Sequence, residues 1–163
     1  MSTKFFNNGL GNTLFDKLKG IASEMATFDR FLAVVGFFRS SGYFKLRKEL
    51  GDISEIKILV GINIDDIFRK HNKALLMLAD EDKAKEIYHN GFKEDIVNAQ
   101  YSPEVEEGIL QMCEDLVSGR LQMRIHATKN LHAKFYLCLP QNHSENSDGW
   151  VIMGSSNISD SGL

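Results

Sequence analysis

No apolar run in this chain approaches the ~20 residues that a membrane-spanning helix needs, and Met1 to Asn8 carry no long apolar segment of the kind a secretion signal requires. The expected compartment is therefore the cytoplasm, and no membrane partner is expected. Cysteine is scarce. The two cysteines, Cys113 and Cys138, lie in apolar surroundings without metal-type spacing, so buried free thiols are expected rather than a disulfide or a metal site. There is no G-x-x-x-x-G-K-[ST] loop, no internal repeat and no low-complexity segment, which leaves no sign of a nucleotide-driven motor in these residues. Basic excess is also missing: the formal net charge is −3 and the pI is near 5.9.

What is present is unevenly spread. Acids crowd the middle of the chain, from Asp80 to Asp115, while Leu116 through Ser144 contain none and include Arg120, Arg124, Lys129 and Lys134. A local basic surface in that window suits a phosphodiester better than the overall charge does. At 163 residues with 43% hydrophobic content, one domain with a real core is expected. The final residues, Ile158 to Leu163, begin an element and stop, so the expectation is an N-terminal fragment of a longer protein spanning a single domain over 1–163.

Periodicity sets the order of elements. Asn12 or Thr13 is placed to cap a helix on which Leu14, Phe15, Leu18, Ile21, Ala22, Met25 and Phe28 recur at three- and four-residue spacing. Arg30 to Phe38 reads as a strand apolar on both faces, followed by a turn over Arg39 to Gly42 and a helix over Tyr43 to Leu50. Glu55 to Ile62 is a second buried strand. Asp65 and Asp66 open one helix, Glu81 to about Gln100 forms another, and Ser102 with Pro103 starts a third that Gly119 ends. Leu121 to Ile125 is the next strand. Strand, helix, strand in this order predicts an α/β fold: a mixed sheet flanked by helices on both faces.

The most informative stretch follows. Leu131 to Leu139 reads as an apolar strand, on which His132 and Lys134 point one way while Ala133, Phe135 and Leu137 point the other. After a polar loop, Val151 to Met153 reads as a short buried strand leading into Gly154-Ser155-Ser156-Asn157. Set side by side, these strands gather an imidazole, an ammonium, an amide and serine hydroxyls, a group able to hold a phosphate and attack it. Taken alone, H-x-K is more often a core histidine beside a strand-edge lysine.

H-x-K on an apolar strand, with G-S-x-N closing the next, resembles the phospholipase D superfamily in its nuclease-like and helicase-appended forms. Phe31 to Leu46 and Ile58 to Ile62 are similar to the first strands of that domain. The resemblance implies a phospholipase D-like fold and a metal-independent, cofactor-free phosphodiesterase acting on DNA or RNA. It implies His132 as nucleophile, forming a phosphohistidine, and Lys134 holding the phosphate. Asn157 and Ser155 would donate to its remaining oxygens. Apart from the resemblance, Arg39 at the end of the first strand is a further candidate substrate contact, beside its plainer reading as a surface arginine. One histidine cannot attack phosphorus and protonate the leaving oxygen at once. With a single copy of the motif, a homodimer with two His132 residues facing each other is expected, and a helicase motor is expected further along the longer protein.

Some features depart from the family. Leu139 stands where many members carry an acid five residues after the lysine, which removes the lipid-processing signature, and no amphipathic basic helix supports a lipid substrate. The alternative from another class is a non-catalytic module that binds a phosphate backbone and docks its parent protein on nucleic acid. Ser156 reads as the variable position of the motif, and His126, in the strand before it, reads more readily as an ordinary strand residue than as one lining the site.

Overall fold

The computed structural model describes residues 11–24, 28–61, 90, 102–126, 131–159 and 162–163. Helix α1 (Leu14–Glu24) starts at a reciprocal cap. The Thr13 hydroxyl accepts from the Asp16 N–H, and the Asp16 carboxylate accepts from the Thr13 N–H and hydroxyl. Strand β1 (Phe28–Val35) follows, so Phe28 belongs to the sheet, opposite Pro140, and not to the helix that its spacing predicts. Helix α2 (Ser40–Leu50) begins inside the expected turn, and β2 (Glu55–Gly61) matches its expectation closely. Helix α3 (Pro103–Val117) carries the expected Ser102 cap, whose hydroxyl accepts from the Val105 N–H, and the chain turns away at Gly119 with φ 77°. Strands β3 (Leu121–His126), β4 (Phe135–Pro140) and β5 (Trp150–Met153) complete the described elements.

The chain is α/β. Its five described strands form one mixed sheet in the order β3-β2-β1-β4-β5, with β3, β2 and β1 parallel and β4 and β5 antiparallel to their neighbours. The register puts Phe31, Ala33 and Val35 beside Ile56, Ile58 and Val60, and across from Tyr136 and Cys138. These residues form one face and share a single buried cluster with Leu14, Leu18, Ile21, Tyr43, Leu46 and Met112 of the helices. The three described helices therefore cover one face, with α2 packed against both α1 and α3. On the other face Leu32, Val34, Leu59, Phe135 and Leu137 are half-buried. The helices expected after Asp65 and over Glu81 to Gln100 lie outside the described residues.

A buried ionic knot ties the helix layer together. Asp115 on α3 is 1% exposed and accepts from Tyr43 Oη at 2.6 Å, Arg47 Nε at 2.7 Å and Arg120 Nη1 at 3.1 Å. Burial alone would raise its pKa, but the Arg47 and Tyr43 hydrogen bonds and the two guanidinium charges hold the carboxyl below its usual range. Two expectations of burial fail. Cys113 is exposed on α3 while Cys138 is buried. Among the described residues β5 is an edge strand paired only with β4; Ile152 is buried but Val151 and Met153 stand exposed.

Candidate functional site

Because β1, β2 and β3 are parallel, their C-terminal ends share one edge of the sheet, and β4 begins there while β5 ends there. In open α/β sheets this edge is where ligands bind. Two glycines shape it: Gly36 directly follows β1, and Gly61 closes β2. A Cβ on Gly61 would collide with the Leu131 carbonyl oxygen. A Cβ on Gly36 would lie 3.3 Å from that same oxygen, 3.4 Å from Lys134 Nζ and 3.5 Å from His132 Cα. Two absent side chains thus make room for residues 131–134 to lie across the ends of β1 and β2. Sequence reasoning overlooked both glycines, although each follows an apolar strand run and so carries a detectable signal.

Residues 131–134 lie outside the strand. Strand β4 starts only at Phe135, because its ladder partners run out at Val34 of β1 and Met153 of β5. The expectation that His132 and Lys134 share a strand face is thereby corrected, although Phe135 and Leu137 do take the face away from the helices. His132 is exposed, and Lys134 is 6% exposed. Instead of standing parallel, the lysine folds back. Its Nζ donates to the His132 carbonyl at 2.8 Å and lies 2.7 Å from His132 Nδ1, with Nε2 at 3.4 Å. Contact with both ring nitrogens at once puts the ammonium over the face of the imidazole, off the in-plane lone pair of either nitrogen. Burial holds the Lys134 pKa below its ordinary value. Among the described residues no carboxylate hydrogen-bonds the imidazole.

The second half of the site is held by three clamps. Asn157 Oδ1 accepts from the Phe37 N–H at 3.1 Å, one residue beyond Gly36, which orients the amide and leaves its NH2 as the donating group. Arg39 N–H donates to the Ile158 carbonyl at 2.8 Å, and Phe38 bridges to Ile158. Tyr136, 1% exposed on β4, donates from its hydroxyl to the Ser156 carbonyl at 2.6 Å. Asn157 and Lys134 therefore flank the same short stretch of backbone at Gly36 and Phe37.

The remaining expected residues fall into place unevenly. Ser155 is exposed on the turn after β5, and Ser156 is the buried one, tied through its carbonyl to Tyr136. Arg39 reaches the same edge with its guanidinium 4.4 Å from the centroid of the Phe37 ring. His126 ends β3 and pairs with Gly61, beside the crossing segment. Tyr136 is a member that sequence reasoning missed, since a strand tyrosine facing the core looks like packing. Among the described residues no three His, Cys, Asp or Glu side chains gather to hold a metal ion, and no helix is long and apolar enough to cross a membrane. Comparison with protein-family models returned no match for this chain, and comparison with curated proteins returned no significant one.

Proposed function

We propose that the chain is a cytoplasmic phosphodiesterase of the phospholipase D type, cutting DNA or RNA through a phosphohistidine on His132 without a metal. The observation that carries this reading is a buried lysine ammonium in contact with an exposed histidine, beside an asparagine whose amide oxygen is fixed on the Phe37 N–H and whose NH2 meets no acceptor among the described residues. Lys134 supplies compact positive charge to a non-bridging phosphate oxygen, and the Asn157 NH2 and the Ser155 hydroxyl supply neutral donors. An incoming phosphate competes for Lys134 Nζ. As Nζ moves to the phosphate oxygen, the ammonium leaves the imidazole ring. The imidazole attacks phosphorus, the phosphorus–oxygen bond to the leaving nucleoside breaks, and a proton must reach that oxygen. Water then cleaves the phosphorus–nitrogen bond. Facing His132 residues in a homodimer would supply the leaving-group proton from the second copy. Two unpaired cysteines suit a reducing compartment.

A second reading draws on the same contact. While the Lys134 ammonium lies against the imidazole, it opposes the positive charge that builds on an attacking ring, which favours a module that binds a phosphate backbone without cutting it. Cleavage of single- and double-stranded DNA and RNA in excess EDTA separates the two. Metal-independent cutting by wild type, lost in His132→Ala, together with a trapped phosphohistidine, supports the enzyme. Binding without either supports the module. Cutting that survives in His132→Ala overturns the site.

A further inference from the structure

Four of the five described arginines are engaged. Arg30 pairs with Glu55, Arg47 and Arg120 with Asp115, and Arg39 lies over the Phe37 ring. Arg124 is the exception among the described residues: it is exposed on the edge strand β3 and has no anion or ring beside it. Its strand neighbour on the same face is His126, two residues on. The register puts Arg124 beside Leu59 and His126 beside Gly61. Gly61 is the position whose missing side chain admits Leu131, so His126 flanks the segment that carries His132. The sequence from Leu116 through Ser144 contains no acid to neutralise this row.

Spacing decides what the row can hold. His132 Cα sits at the end of β1, and β3 lies two strand spacings away, about 10 Å. A single phosphate cannot span that width, but a polynucleotide backbone, with a phosphate at every nucleotide, can. We infer that Arg124 and His126 form a second phosphate subsite, which holds a neighbouring backbone phosphate while the first sits at Lys134. The inference rests on reading His132 and Lys134 as a phosphodiester centre, and it makes the substrate a nucleic-acid strand in preference to a small or lipid phosphodiester.

The test is binding of fluorescently labelled oligothymidylate to the full chain in EDTA across a series of salt concentrations, with inorganic phosphate as the single-phosphate probe. Arg124→Ala is expected to weaken oligothymidylate binding roughly fivefold and to reduce the salt slope by about one, and Arg124→Lys to restore the slope. Equal affinity and slope in wild type and Arg124→Ala overturn the subsite. So does an equal loss for inorganic phosphate, which would put Arg124 at the central site. The centre is read separately by phosphohistidine formation from bis(p-nitrophenyl) phosphate, which has one phosphodiester. Phosphohistidine with no Arg124-dependent binding keeps the centre and rejects the subsite. Arg124-dependent binding with no phosphohistidine keeps the subsite and rejects the centre.

Discussion

Lys134 Nζ lies 2.7 Å from His132 Nδ1 and 2.8 Å from the carbonyl oxygen of the same histidine. With Nε2 at 3.4 Å, the ammonium sits over the imidazole face, off the in-plane lone pair of either nitrogen. The first prediction follows from that contact. NMR of the anion-free protein is expected to show the His132 ring resonances displaced by the ammonium above them, and added inorganic phosphate is expected to reduce that displacement by drawing Nζ away. Lys134→Met should abolish both the displacement and the phosphate response, and in the catalytic reading should lower kcat by roughly 10²-fold or more. His132 ring resonances that are the same in wild type and Lys134→Met would sink the idea.

The parts of this site that could be read from sequence are those governed by short-range pattern. Ser102 and Pro103 announced α3, and the continuous apolar run from Phe31 to Val35 announced a strand of the sheet. What sequence could not give depends on where neighbours stop. His132 and Lys134 continue an apolar strand pattern, yet β4 begins at Phe135 because the ladders on both sides end there. Phe28 fits a helix by spacing, but pairing with β4 claims it for the sheet. Val151 and Met153 look like a buried strand and are exposed on β5, which among the described residues has a neighbour on one side only. Gly36 and Gly61 act through contacts with Leu131, 70 or more positions away in sequence, and Tyr136 through one with Ser156, 20 positions away across an intervening loop and strand, beyond any local window.

The glycine pair gives a graded test. Gly61→Ala sets a methyl group against the Leu131 carbonyl oxygen, a backbone atom that cannot rotate away, and is expected to displace residues 131–134. Gly36→Ala meets the same oxygen at 3.3 Å, a strain that a few tenths of an ångström relieves. Overpacking of this kind costs about 1–3 kcal/mol, and an ångström of misplacement at a reacting group can cost ~10²-fold in rate. Thermal melts and phosphate titrations should rank wild type, Gly36→Ala and Gly61→Ala in that order. Gly61→Ala with wild-type phosphate affinity would show that the crossing segment adapts freely.

Tyr136 joins the two halves of the site, from the strand that follows Lys134 to the turn that carries Asn157. In Tyr136→Phe the Ser156 carbonyl loses its 2.6 Å donor. A buried carbonyl left unpaired costs about 1–3 kcal/mol, visible as a lower Tm. If the hydrogen bond also aims Asn157, the side-chain NH2 resonances of Asn157 shift and their response to phosphate weakens, whereas Asp115→Asn, which destabilises the fold elsewhere, leaves that response intact. Equal behaviour of the two variants would make Tyr136 a packing residue only.

Asp115 sets the acid limit of the fold. Its carboxyl is held below the unfolded value of 3.8, with the cost of burial outweighed by Arg47, Tyr43 and Arg120. A carboxyl with a lowered folded pKa contributes stability that is fully present above its unfolded value and is lost as pH falls through the folded value. Denaturant melts of wild type are therefore expected to lose this contribution below about pH 4. Asp115→Asn removes the charge at every pH and leaves two guanidinium groups facing a neutral amide, one of them, on Arg47, 9% exposed. Breaking a buried pair in this way costs about 3–5 kcal/mol. The variant should be less stable than wild type at pH 7, and the difference should narrow on acidification as the wild-type carboxylate is protonated. A constant difference from pH 7 down to pH 3 would show that Asp115 holds the helices through shape and hydrogen bonding, with its charge playing no part.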